Sequence, residues 1–140
     1  MVRQVATRDV VNSAKYHVPV PSFTQAVRVP ADAELMYVSG ITARQADGRI
    51  VGVGDIEAQT RQVLENIKNI LAEVGATLDD VVHTLTHVID ANDIPKISVI
   101  RREYYGDPPP TSTTVQVARL FDPDQLIEIT VTAVVPKQRS

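Results

Sequence analysis

An α+β fold, with two helices packed on one face of a mixed sheet, is what this 140-residue chain predicts. Three observations carry that expectation. Residues 56–74 hold an apolar stripe of helical period, five strand-like segments surround it, and a second helical segment at 92–105 parts the third of them from the last two. The order is strands, helix, strand, helix, two strands, which suits helices segregated to one side of an antiparallel or mixed sheet.

Each element has its own local cause. Val10-Val11-Asn12-Ser13 and Val18-Pro19-Val20-Pro21-Ser22 are loops around brief strands, because proline fixes φ and cannot donate to a ladder. Phe23 to Val29 is a strand ended by Pro30-Ala31-Asp32, and Leu35 to Ile41 is the next, with Asp47-Gly48 marking a turn. Asp55 is a good N-cap for the first helix. Ile56, Val63, Leu64, Ile67, Ile70, Leu71 and Val74 form its buried stripe, Glu57, Arg61, Glu65, Lys68 and Asn69 its wet face, and Gly75 sits at the C′ position. Val81 to Ile89 is a strand. Asn92 or Asp93 caps the second helix, Pro95 falls in its first turn, and Gly106-Asp107 ends it near Tyr105. Thr113 to Leu120 and Leu126 to Val135 are the closing strands, joined through Phe121-Asp122-Pro123-Asp124. Tyr37, Val38, Ile41, Leu85, Val115, Val117, Ile127, Ile129 and Val131 supply more strand hydrophobes than two helices can cover, so the sheet's other face calls for a second copy.

Composition narrows the functional classes. The length suits one domain over residues 1–140, burying roughly two-thirds of its unfolded surface. A net charge of −3 offers no footprint for nucleic acid. No apolar run reaches the roughly 20 residues of a membrane span, and Met1 to Asp9 lacks a signal peptide's apolar stretch, so a cytoplasmic protein is expected. The absence of cysteine excludes disulfides, thiolate nucleophiles and zinc–cysteine sites.

The candidate chemistry lies on the strands. His83 and His87 have the i, i+4 spacing of a helical metal pair, but on a strand they stand about 13 Å apart, so no metal site is expected. Ser39-Gly40 lacks the flanks of a nucleophile elbow; glycine there lets a ligand approach closely. Gly48, Gly52 and Gly54 do not have dinucleotide-fingerprint spacing. In Leu126 to Val131, alternation sets Glu128 and Thr130 on one face and Ile127, Ile129 and Val131 on the other. That polar face is either solvent or a cleft, and in a cleft Glu128 would act as general acid/base or orient water. Arg101-Arg102-Glu103 suits a solvated face, the alternative being an arginine that meets a substrate carboxylate. Pro108-Pro109-Pro110 feeds a stiff backbone into Thr111-Ser112-Thr113-Thr114, the kind of wall that a ligand cleft needs.

Taken in order, several segments resemble one family. They are Gln25-Ala26, Leu35-Met36-Tyr37-Val38-Ser39-Gly40, Gly54-Asp55-Ile56-Glu57-Ala58-Gln59-Thr60, Asn66-Ile67, Leu71-Ala72-Glu73-Val74-Gly75 and Asp79-Asp80-Val81-Val82, then Val115-Gln116-Val117-Ala118-Arg119-Leu120 and Ile127-Glu128-Ile129. Together, over residues 20–135, they resemble the RidA (YjgF/YER057c) family. The resemblance implies a chorismate-mutase-like fold, a homotrimer with clefts between subunits, and cofactor-free hydrolysis of a reactive enamine or imine, such as 2-aminoacrylate, to a keto acid and ammonia.

The family's serine–glycine pair falls on Ser39 and Gly40 and its glutamate on Glu128. Its aromatic position falls on Phe23 and its helix asparagine on Ser98. The arginine that binds the substrate carboxylate in the best-known deaminases falls on Ser112, between Thr111 and Thr113. Losing that guanidinium fork forfeits roughly 2–5 kcal/mol, a factor of about 30 or more in affinity. The resemblance therefore implies a hydroxyl-lined cleft for a different or neutral small ligand, unless Arg44 or Arg102 supplies a cation. The competing class is a non-catalytic trimer that binds a small metabolite.

Overall fold

In the structure, a computed structural model that describes residues 8–17 and 23–137, β1 (Asp9–Val11) and β2 (Ala26–Arg28) pair antiparallel as a ribbon of their own. The loops expected at 18–22 lie outside the described residues. The main sheet contains β3 (Glu34–Ile41), β4 (Val81–Val88), β5 (Thr111–Gln116) and β6 (Ile127–Val135) in the order β3-β6-β4-β5. β6 runs antiparallel to both neighbours and β5 runs parallel to β4, so the sheet is mixed as expected. Helices α1 (Ile56–Ala72) and α2 (Ile94–Tyr104) complete the order, each strand-to-helix or helix-to-strand boundary falling near its sequence signal.

The ends of α1 show why. Asp55 accepts from the Ala58 N–H at 3.1 Å, occupying a donor that the first turn leaves orphaned. At the other end Gly75 has φ +72°, and the bonds Ala76 N–H to Leu71 O and Gly75 N–H to Ala72 O form a Schellman closure with Gly75 at C′. Val74 consequently lies past the last regular turn and is exposed instead of continuing the stripe. Val63, Leu64, Ile67 and Leu71 are fully buried and belong to one core with Ile127, Ile129 and Val131 of β6 and Val38 of β3. Buried Gln59 ties α1 to the start of β6, donating to Asp124 O at 2.8 Å and accepting from Leu126 N–H at 2.8 Å.

Two boundaries differ from expectation. Strand β2 occupies only the end of Phe23 to Val29, because Thr24 leaves the ribbon to form an isolated parallel bridge with Thr111. β5 is shifted toward the proline run, starting at Thr111, where the Thr84 hydroxyl donates to Thr111 O and the Thr111 hydroxyl to Val82 O. A 3-10 turn, Ala91–Asp93, precedes α2: its cap Asp90 accepts from Asn92 N–H at 2.9 Å, while Asp93 holds the N-cap position of α2 as expected but makes no capping bond through its side chain.

The surplus of strand hydrophobes is smaller than the sequence implied. Val38, Ile127, Ile129 and Val131 are buried under the helices, leaving Tyr37, 77% exposed, with Leu35 and Val115 as the large apolar groups outside. No described helix is long and apolar enough to cross a membrane.

Asp55→Ala should cost about 1 kcal/mol of stability through the lost cap, whereas Leu64→Ala should cost about 2–5 kcal/mol through the cavity it leaves. Urea unfolding of the two variants would check both the size and the ranking.

Candidate active site

Alternation along β6 sends Ile127, Ile129 and Val131 into the core and turns Glu128, Thr130 and Thr132 to the opposite face. β3 reaches Glu128 through an irregularity, because its register with β6 shifts between Val38 and Ile41. This brings the Gly40 backbone so close to the carboxyl that a Cβ there would stand 2.5 Å from Glu128 Cδ and 2.6 Å from Oε1. Any side chain at position 40 would displace the Glu128 carboxyl from where it lies. On the other side β4 sets His87 directly opposite, with Nδ1 3.6 Å from Glu128 Oε2 and the side chains 27% and 30% exposed. His87 Nδ1 is buried without a hydrogen-bond partner, and 3.6 Å is too long for a direct bond to the carboxylate. Ser39 lies exposed beside this pair.

A second group forms at the edge strand. Thr24 N–H donates to Pro110 O at 3.2 Å, holding Phe23 alongside β5. The result is a cavity of about 560 Å³ whose walls include Phe23, His83, Thr111, Ser112 and Thr113. Because the Thr111 hydroxyl gives its hydrogen to Val82 O, its 2.8 Å contact with His83 must receive the Nδ1–H, which leaves Nε2 of a neutral ring as an acceptor. A groove of the same volume between the helices, lined by Arg61, Glu65, Glu103 and Tyr104 among others, contains none of the candidates.

The solvated face expected for Arg101-Arg102-Glu103 holds for Arg102 and Glu103 only; Arg101 is 4% exposed. Its Nη1 donates to Ser112 Oγ at 2.6 Å and its Nη2 to Thr84 Oγ1 at 3.1 Å, with the guanidinium carbon 5.6 Å from the Tyr105 ring centre. Burial lowers the pKa of Arg101, although a guanidinium stays charged, and burial pushes the Tyr105 hydroxyl up to about 12. Arg44 is engaged elsewhere, donating to Gly48 O and lying 3.6 Å from Asp122, and Arg102 is exposed. The arginine at Ser112 is therefore neither of the two considered from sequence. Position 101 falls four residues after buried Ile97, on the buried stripe of α2, and that spacing was the available signal.

The sequence candidates thus fall into two groups. Ser39, Gly40 and Glu128 gather with His87 at one end of β4, while Phe23, Thr111, Ser112 and Thr113 gather with His83 and Arg101 at the other, about 13 Å away along the strand. Ser98 is half-buried on α2, in the helix layer, away from the Glu128 face. Gly40→Ala should push the Glu128 side chain aside at a cost of about 1 kcal/mol or less, because the atoms it meets belong to a flexible, partly exposed side chain, and the cost should vanish when combined with Glu128→Ala. A double-mutant cycle in urea tests that coupling, and equal costs in both backgrounds would refute it.

Comparison with known proteins agrees with this architecture. The family model described as Endoribonuclease L-PSP matches residues 9–135. A RutC family protein of Pyrococcus abyssi is 38% identical over 123 residues, covering 87% of this chain and 93% of its own length. The 3-aminoacrylate deaminase RutC of Acinetobacter baylyi is 43% identical over 95 residues, covering 68% of this chain and 75% of that protein. The crystal structure of YyfB, of the conserved Rid protein family of Yersinia pestis, superposes with a TM-score of 0.85 at 34% identity, covering 91% of this chain and 98% of that one. Sequence, sheet order and solved relatives agree, and the chain belongs to the Endoribonuclease L-PSP (YjgF/RidA) family.

Proposed function

We propose that the protein is a cofactor-free hydrolase of a small imine or enamine, working in clefts completed between the subunits of a homotrimer. The observation that carries this reading is the Glu128 carboxylate, packed against the Gly40 backbone at a register irregularity and facing His87 across a gap just too long for a direct bond. A carboxylate in that position is suited to orient a water and take its proton.

The chemistry needs little more. An enamine first takes a proton on carbon to become an iminium, which is itself electrophilic. Water adds to the C=N carbon and gives a proton to Glu128, forming a carbinolamine. Protonation of its nitrogen and loss of the O–H proton then release ammonia and leave the carbonyl compound. In this reading a water between His87 and Glu128, 3.6 Å apart, relays these protons. The similarity to a relative named 3-aminoacrylate deaminase supports the reaction class.

The separation of the two groups along one strand supports completion by a second copy. Each protomer would present the Glu128 group to one neighbour and the hydroxyl-lined cavity to another. Exposed Tyr37, Leu35 and Val115 supply apolar area for such contacts. The rival reading, a binding trimer without turnover, predicts that small metabolites bind but no ammonia is released.

Imines generated in situ from amino acids by an oxidase, and followed as loss of semicarbazide trapping, test the activity. Glu128→Ala should reduce turnover by about 10²-fold or more, and an unchanged rate would remove Glu128 from the chemistry. Analytical ultracentrifugation should give three times the 15.3 kDa chain mass, and Tyr37→Glu should shift the population toward smaller species.

A further inference from the structure

We propose that His83 determines the specificity of the edge-strand cavity, its Nε2 accepting a hydrogen bond from an N–H group of the ligand. The cavity would then take a neutral, planar group that carries an N–H, such as the nitrogen end of an enamine or an amide. The inference deepens the proposed function and rests on it only in taking this cavity as a ligand site.

The first support is the fixed direction of a hydrogen-bond chain. The Thr111 hydroxyl donates to Val82 O at 2.8 Å, so in its 2.8 Å contact with His83 Nδ1 it accepts. The ring hydrogen is thereby held on Nδ1, and the neutral imidazole carries its lone pair on Nε2. The chain is anchored in the ladder, because His83 and Thr111 are register partners in the parallel pairing of β4 and β5. Among the described residues Nε2 meets no donor. A ring oriented through one nitrogen and open at the other is poised to receive a hydrogen from a ligand.

The second support is what else faces the cavity. Among the described residues its titratable side chains are His83 and Tyr16, and no lysine, arginine or carboxylate lines it. The Ser112 hydroxyl is turned away, because Ser112 pairs with Thr84 and both hydroxyls accept from Arg101 on the helix side of the sheet. The Gln25 amide is occupied by the Ser13 N–H and by the carbonyls of Ser13 and His17. An anion entering here would shed its water without gaining a cation. An N–H donor instead finds Nε2, and Phe23 offers an apolar wall to the rest of the ligand. This agrees with the neutral small ligand expected from serine at position 112. A ligand that lacks the hydrogen forfeits one bond, about tenfold in affinity.

Titration of the purified full-length protein with 2-pyrrolidinone and with γ-butyrolactone, at about pH 8 where imidazole is neutral, compares an N–H with the ring oxygen that replaces it. Backbone amide spectra give the affinities, and long-range proton–nitrogen spectra of the histidine rings give the tautomer. Before ligand is added, His83 should be protonated on Nδ1 and bare at Nε2. The lactam should bind about tenfold tighter than the lactone and shift the Nε2 resonance, and propanoate should bind no better than the lactone. His83→Leu should shrink the gap between lactam and lactone to within a factor of about three, and His83→Gln, whose carbonyl can accept in place of Nε2, should restore part of it. His83 is exposed, so its replacement leaves the core intact. Equal binding of lactam and lactone, no binding of either, tighter binding of propanoate, an undiminished gap in His83→Leu, or a ring protonated on Nε2 alone would overturn the proposal. Glu128→Ala should leave the gap intact, so a failure of the hydrolytic reading, seen as absence of turnover, is distinct from a failure of donor selection.

Discussion

The register of β6 governs everything else in this molecule. Its odd-numbered residues from Ile127 to Val131 are almost fully buried against α1, and the residues between them face the other way. A slip of one position would drive Glu128 into a hydrocarbon layer and expel three aliphatic side chains from it, so the pairing with β3 and β4 is strongly fixed. The carboxylate owes its place to the burial of its neighbours. Gly40 and His87 then set its immediate surroundings, the first by yielding space and the second by standing opposite across the ladder.

Much of this was legible from the residues. The α1 stripe, the Asp55 cap and the Gly75 terminus report local physics, and the alternation in β6 reports which face carries Glu128. Less legible were features that depend on partners distant in sequence. β5 begins at Thr111 because β4 offers it acceptors and donors there, which composition cannot reveal. His87 looked like half of a histidine pair, whereas its relevant neighbour is 41 positions away on β6. Arg101 was hidden by type: a charged residue between Ile100 and Arg102 reads as surface, though its spacing from Ile97 puts it on the inner side of α2. The family's guanidinium is missing at Ser112, and the Arg101 guanidinium reaches that hydroxyl from α2.

The two candidate clusters use opposite electrostatic strategies. At Glu128 a half-exposed carboxylate keeps access to water, which a reaction consuming water requires. At Ser112 the charge is withdrawn from solvent, the buried Arg101 guanidinium donating to the Ser112 and Thr84 hydroxyls.

Gln59 has a role that extends past simple packing. By gripping the backbone on both sides of Gln125, its amide fixes where β6 starts, independently of how the chain travelled there from β5. Residues 117–124 are thereby relieved of any duty to aim the final strand. That connection, which carries the chain past β4 and where Phe121 projects almost wholly into solvent, can be lengthened, shortened or redecorated while Glu128 keeps its place.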